Sequence, residues 1–132
     1  MILIDTSAWI EYYRKEGKEE YKKIILNGID ENTISVNGII QTELLVFCKN
    51  KNEYNLISND MSSFHWLETD LKVYLKACEI GFSLKKIGIT IPLTDLIIGA
   101  CALINNCKLI HFDKHYIQIK QHYSLDQYSL LN

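Results

Sequence analysis

Four acidic residues stand where a short apolar run gives way to a turn or to a helix. Asp5 follows Ile2-Leu3-Ile4, Glu43 interrupts Ile40-Gln41-Thr42-Glu43-Leu44-Leu45, Asp95 follows Ile91-Pro92-Leu93-Thr94, and Asp113 comes just past Leu109-Ile110. Carboxylates gathered in one cleft raise one another's pKa, so a fold tolerates such a set where a divalent cation neutralises it. Oxygen-only ligands select hard ions, Mg²⁺ or Mn²⁺, over zinc. Such an ion keeps waters that can supply a nucleophile and contacts to a phosphate. Each acid has a plainer use when taken alone: Asp5 or Asp95 as a helix cap, Asp113 as a surface acid, Glu43 as a solvated charge. Their joint placement is what carries the reading.

That placement depends on the elements around them. Ile2-Leu3-Ile4 predicts a strand buried on both faces, followed by a helix over Ser7–Arg14 with Asp5, Thr6 or Ser7 as its N-cap. A second helix is expected over Glu19–Leu26, stopping at Gly28, and a second strand over Thr33–Val36. Helical spacing then runs from Ile39 to Lys49 and from Glu53 to Met61. The stripe Leu71, Tyr74, Leu75, Cys78 and Phe82 predicts a helix over Asp70–Lys86. Ile89–Pro92 reads as extended, and Thr94–Ile104 as a helix apolar nearly all round, with Gly99, Ala100 and Ala102 permitting close approach to a sheet. Lys108–Ile110 is a strand, Lys114–Gln121 a helix, and the tail leaves room for one more strand. Strands alternating with helices imply an α/β fold with a doubly wound parallel sheet, whose ligands bind beyond the carboxyl ends of the strands. All four acids fall toward that edge.

Composition sets outer limits. At 132 residues the chain is expected to form one domain spanning residues 1–132, and its apolar and charged fractions of 48% and 23% are those of a globular protein. No apolar run approaches the length of a membrane span, and the start resembles neither a signal nor a transit peptide. Cys48, Cys78, Cys101 and Cys107 lack a C-x-x-C pair and are expected to be buried reduced thiols, which points to the cytoplasm. The net charge of −2 is low for a nucleic-acid binder. Setting four acids aside for a metal leaves twelve against fourteen Lys and Arg, a weakly basic remainder that permits RNA without arguing for it.

The motifs also resemble a known family. Leu3-Ile4-Asp5-Thr6-Ser7, followed by Ala8-Trp9-Ile10, is similar to the opening of PIN-domain proteins, and Ile40–Leu45 to their second motif, a glutamate early in a helix. Ile91–Ala102 resembles the third motif, an aspartate opening a small-residue helix, and Leu109–Tyr116 the last. The resemblance spans residues 2 to 116, with the motifs in order. It implies a three-layer α/β/α fold with a central, mostly parallel sheet of four to five strands. The size is most similar to VapC-type toxins of toxin–antitoxin pairs. That similarity implies Mg²⁺- or Mn²⁺-dependent cleavage of RNA by metal-activated water, a homodimer, and a small cognate antitoxin. Asp5 and Asp95 are then the principal metal ligands, directly or through water. Glu43 and Asp113 complete the ring, one of them orienting or deprotonating the attacking water. Thr6 or Ser7 would bond a metal-bound water. One departure stands out, since His111 occupies the place where the family usually carries Thr or Ser.

Other readings of the same residues are weaker. His111, Asp113 and His115 could be half of a zinc site, but no further Cys or His completes it at a diagnostic spacing. Tyr12 and Arg14, with Tyr13 and Lys15, could stack on bases and touch phosphates, although core packing and a solvated face are commoner roles. Lys49, Lys51, Lys114 and Lys120 are less specific phosphate candidates. A PIN-fold module that binds RNA or protein with little catalysis is the main alternative function, supported by His111. A small-phosphoester hydrolase is a third, opposed by the absence of a G-x-x-x-x-G-K-[ST] cradle and of a D-x-D at Asp5.

Overall fold

A computed structural model describes residues 1–131. Its centre is a five-stranded, all-parallel sheet in the order β3-β2-β1-β4-β5, with seven helices around it among the described residues. The strands are β1 (Ile2–Ile4), β2 (Ile34–Val36), β3 (His65–Trp66), β4 (Lys108–Ile110) and β5 (Gln127–Tyr128). β1 lies between β2 and β4, with Leu3 opposite Ser35 on one side and Leu109 on the other. The chain first builds outward through β2 to β3, then returns to the opposite side of β1 for β4 and β5. The carboxyl ends of β1 and β4 therefore flank the point where the winding reverses, the usual ligand crevice of such sheets. The family resemblance implied four to five mostly parallel strands; five are present, and all are parallel.

Seven helices complete the order: α1 (Thr6–Tyr13), α2 (Glu19–Glu31), α3 (Gly38–Val46), α4 (Lys51–Ser62), α5 (Leu71–Lys86), α6 (Leu93–Ile104) and α7 (Lys114–Lys120). The core joins β1 and β4 residues Leu3, Ile4 and Leu109 to Trp9 and Ile25 below and to Ile98, Ala100 and Tyr116 on α6 and α7. Near-continuous burial of β1, of β4 and of the middle of α6 explains why their sequences run apolar without alternation.

Three expectations need correction, and one helix shows a face that its spacing left open. α2 does not stop at Gly28; it runs on to Glu31 and is closed by Asn32, whose φ of 56° provides the left-handed C-cap. Gly28 serves close packing instead, because a Cβ there would sit 2.9 Å from Ile34 Cγ1 and 3.0 Å from Ile2 Cδ1. The stretch from Ile39 to Lys49 is not one helix either, since α3 begins at Gly38, under an Asn37 cap, and ends at Val46. The apolar stripe of Leu71, Tyr74, Leu75, Cys78 and Phe82 does lie on a helix, yet it faces outward, with Leu71 and Phe82 71% and 65% exposed. Val73, Ala77, Ile80 and Leu84 form the buried face of α5. That orientation also exposes Cys78, so the four free thiols are not uniformly buried: Cys101 and Cys107 are, and Cys48 is half-buried.

Candidate metal centre

Asp5 leaves β1 while still bound to the sheet, its amide donating to the Ile110 carbonyl at 2.9 Å. Its carboxylate is buried and caps α1 by accepting the Ser7 amide at 3.0 Å and the Ser7 hydroxyl on the same oxygen, Oδ2. Ser7 has a second task, because its Oγ accepts the Phe112 amide at 2.9 Å. That bond ties the turn after β4 to the start of α1. The other Asp5 oxygen, Oδ1, accepts the Tyr116 hydroxyl at 2.7 Å.

Asp95 sits in the first turn of α6, whose N-cap is Pro92, so its carboxylate is not spent on capping. Asp95 Oδ1 lies 3.4 Å from the same Tyr116 hydroxyl, and Oδ2 lies 2.8 Å from His115 Nδ1. Asp113 caps α7 through Oδ1, which accepts the His115 amide at 2.9 Å and lies 2.9 Å from His115 Nδ1. One imidazole nitrogen is thus shared by two carboxylates. Single ligand atoms of Asp95, Asp113 and His115 all lie within 4.8 Å of one another. Asp5 joins this group through the Tyr116 hydroxyl.

Burial and the neighbouring charges of Asp113 and Asp5 push the Asp95 carboxyl up to about 6, against the His115 bond, which pulls the other way. Mutual repulsion of this kind is what a divalent cation relieves, and the set is dominated by carboxylate oxygen, as a hard ion requires. The donor set therefore fits Mg²⁺ or Mn²⁺, with His115 contributing a nitrogen to the group.

Glu43 stands on α3 at the rim and accepts the Thr6 hydroxyl at 2.7 Å. Burial, and secondarily the charge of Asp5, raises its carboxyl above the ordinary value, while the Thr6 bond opposes the rise. Beside it runs a groove of about 480 Å³ whose walls include Arg14, Lys15, Lys49, Tyr13 and Phe47. Arg14 is also paired with Glu11 at 3.0 Å. Tyr12 is set back, edge-on to Trp9 and Tyr13, and the groove wall is made by Tyr13.

His111 does not face the acids with its donor nitrogen. It is fully buried, and its Nδ1 accepts the Asp113 amide at 3.2 Å, which leaves Nε2–H to donate to Gln127 Oε1. Burial holds its pKa below the ordinary value, in keeping with an Nδ1 that accepts a hydrogen bond. A zinc half-site from His111 and His115 is not formed, because Nε2 of His111 is committed to Gln127 and Nδ1 to backbone. Thr6 donates its proton to Glu43 and Ser7 donates its own to Asp5 while accepting from Phe112, so toward a metal-bound water either hydroxyl could serve only as an acceptor.

Sequence reasoning passed over Tyr116 and underused His115. Both follow Asp113 on the first turn of α7, two and three residues on, so an acid-x-His-Tyr spacing at a helix start was the available signal.

Comparison with known proteins agrees with this fold. The chain resembles Ribonuclease VapC18 of Mycobacterium tuberculosis, 20% identical over 120 residues and covering 88% of this chain and 85% of that protein. It resembles Ribonuclease VapC11 of the same species at 26% identity, covering 88% and 89%. Among solved structures, VapBC2 from Rickettsia felis bound to a promoter DNA fragment superposes with a TM-score of 0.78 at 20% identity, covering 98% of each chain. VapBC-1 from nontypeable Haemophilus influenzae gives 0.77 at 22% identity, also over 98% of each chain. Residues 2–121 match the PIN domain family as a whole, and the chain belongs to that family.

Proposed function

We propose that this chain is a metal-dependent endoribonuclease and the toxin of a toxin–antitoxin pair. The observation that carries the proposal is the meeting of Asp5, Asp95 and Asp113 around Tyr116 and His115 at the carboxyl ends of β1 and β4. The ribonuclease names of its relatives and the toxin–antitoxin complexes among its structural neighbours support the substrate class and the partner.

A bound Mg²⁺ or Mn²⁺ would supply charge stabilisation at the phosphate and acidify a water. Asp5 and Asp95 would hold the cation directly or through water, with Asp113 and Glu43 closing the ring. Glu43, with its raised carboxyl beside the groove, is suited to take a proton from the attacking water, because a base works best when its pKa lies nearer the working pH. Arg14, Lys15 and Lys49 line that groove and would carry the backbone phosphates of single-stranded RNA, and Tyr13 offers a ring edge for a base.

The assembly proposed is a homodimer with a small antitoxin bound to it. The outward apolar face of α5 supports the dimer. Tyr74, Phe82 and Leu93 border a groove of about 590 Å³ between α5 and α6, a patch that a monomer would leave in water. Among the described residues no helix is long and apolar enough to cross a membrane. Free thiols accord with a cytoplasmic location.

The rival reading, a module that binds without cleaving, drew on His111. That ring is bonded away from the acids, and all four carboxylates are present, so hydrolysis is preferred. Incubation of the purified chain with single-stranded RNA and Mn²⁺ tests it. Cleavage should appear, stop with EDTA, and fall at least a hundredfold in Asp5→Asn. Cleavage that survives chelation at the same rate would exclude the proposal.

A further inference from the structure

Tyr116 is buried without exposure, yet among the described residues its hydroxyl is the one group that reaches both Asp5 and Asp95. Its position is not left to chance. Gly99 on α6 lies beside the ring, where a Cβ would be in ordinary contact with Tyr116 Cδ1 at 3.8 Å and would crowd only Ile119 Cδ1 at 3.2 Å. The His111 ring packs against it at 4.9 Å between centroids. Gln127, itself held by His111, donates from Nε2 to the Tyr116 carbonyl at 3.1 Å. Ring and backbone are thus held by two neighbours, His111 and Gln127, neither of which is an acid of the site.

The consequence for Asp5 is definite. Ser7 holds one carboxylate oxygen and Tyr116 the other, so the plane of the carboxylate is set from both sides. Without the phenol only the Ser7 side would be held. A hydroxyl carries one proton, and the 2.7 Å contact gives it to Asp5; Asp95 Oδ1 lies 3.4 Å from the same oxygen, without a proton left for it.

We infer that Tyr116 is a positioning residue whose hydroxyl sets the orientation of the Asp5 carboxylate for the cation, with His111 and Gln127 as its supports. The inference rests on the metal-site reading above. Partners that orient ligating carboxylates change metal affinity by roughly 10- to 100-fold when removed. The unusual His111 then has a use: it braces the pin rather than touching the metal.

The test is Mn²⁺ affinity by titration calorimetry on the purified full chain, with no RNA present. Tyr116→Phe removes one oxygen and should weaken Mn²⁺ binding about tenfold or more. Tyr123→Phe, a tyrosine outside the site, should bind as the wild type does. Equal or tighter binding by Tyr116→Phe would overturn the inference, tighter binding meaning that the hydroxyl competes with the cation. Should Tyr116→Phe not fold, tyrosine difference absorbance of the wild type decides. A signal that saturates with Mn²⁺ supports the pin, and calorimetric binding without it refutes the pin. No Mn²⁺ binding by the wild type would instead bring down the metal-site reading.

Discussion

The Thr6 hydroxyl donates to Glu43 Oε1 at 2.7 Å, joining the first turn of α1 to α3 across 37 residues. The bond counters the upward push of burial on the Glu43 carboxyl. Thr6→Val keeps the shape and removes the donor, so the Glu43 carboxyl should rise further. The acidic limb of the cleavage pH profile should then move to higher pH, with the loss of activity concentrated on its acidic side. Stability should drop by only about 1 kcal/mol, as for one partly buried hydrogen bond. A pH profile of RNA cleavage checks it, and an unmoved acidic limb would remove Glu43 from the proton-transfer role.

Asp95 makes stability depend on pH in a direction opposite to that of a salt-bridged acid. Its carboxyl lies at about 6 in the fold against an ordinary value of 3.8, so the proton favours the folded state. The stabilisation is complete below 3.8 and is lost as pH rises through about 6. Metal-free protein should therefore be less stable at pH 7.5 than at pH 5, by an amount on the order of 1–2 kcal/mol from this group. In Asp95→Asn that part of the pH dependence should vanish. Urea denaturation at the two pH values measures it.

Gly28 tests the packing of α2 on the sheet. Alanine there gains helix propensity but must displace Ile34 and Ile2 side chains from 2.9 and 3.0 Å. Overpacking costs roughly 1–3 kcal/mol against a gain of less than about 1 kcal/mol, so Gly28→Ala should lower stability by about 1–2 kcal/mol. A higher urea midpoint would show that the strand side chains yield freely.

What could be read from the sequence follows from what each signal measures. Asp5 and Asp113 were legible because an acid directly after a buried run must leave the sheet at its carboxyl edge. The helix over α5 was legible from its spacing, but its direction was not. Apolar residues occupy both faces, and periodicity cannot say whether Val73 and Ile80 or Leu75 and Phe82 meet the core. β3 escaped because two residues, both exposed, leave no alternation to detect. Tyr116 and His115 escaped because their reach depends on how α7 docks, a tertiary fact that local pattern does not carry.

The α5 face makes its own prediction. Phe82→Glu places a charge on the exposed stripe without touching the buried side of the helix. The wild type should sediment as a dimer, and the variant as a folded monomer with unchanged Mn²⁺ affinity. A monomeric wild type would assign that face another occupant.

The central claim, that the gathered carboxylates form a divalent-cation site, is tested most directly by thermal melting of the wild type and of Asp5→Asn, each in EDTA and in excess Mg²⁺. A cation at a hundred times its dissociation constant adds about 2.7 kcal/mol, which is several degrees for a domain of this size. The wild type should melt higher in Mg²⁺, and Asp5→Asn should melt alike in both solutions. Coincident wild-type curves in EDTA and in saturating Mg²⁺ would contradict the account.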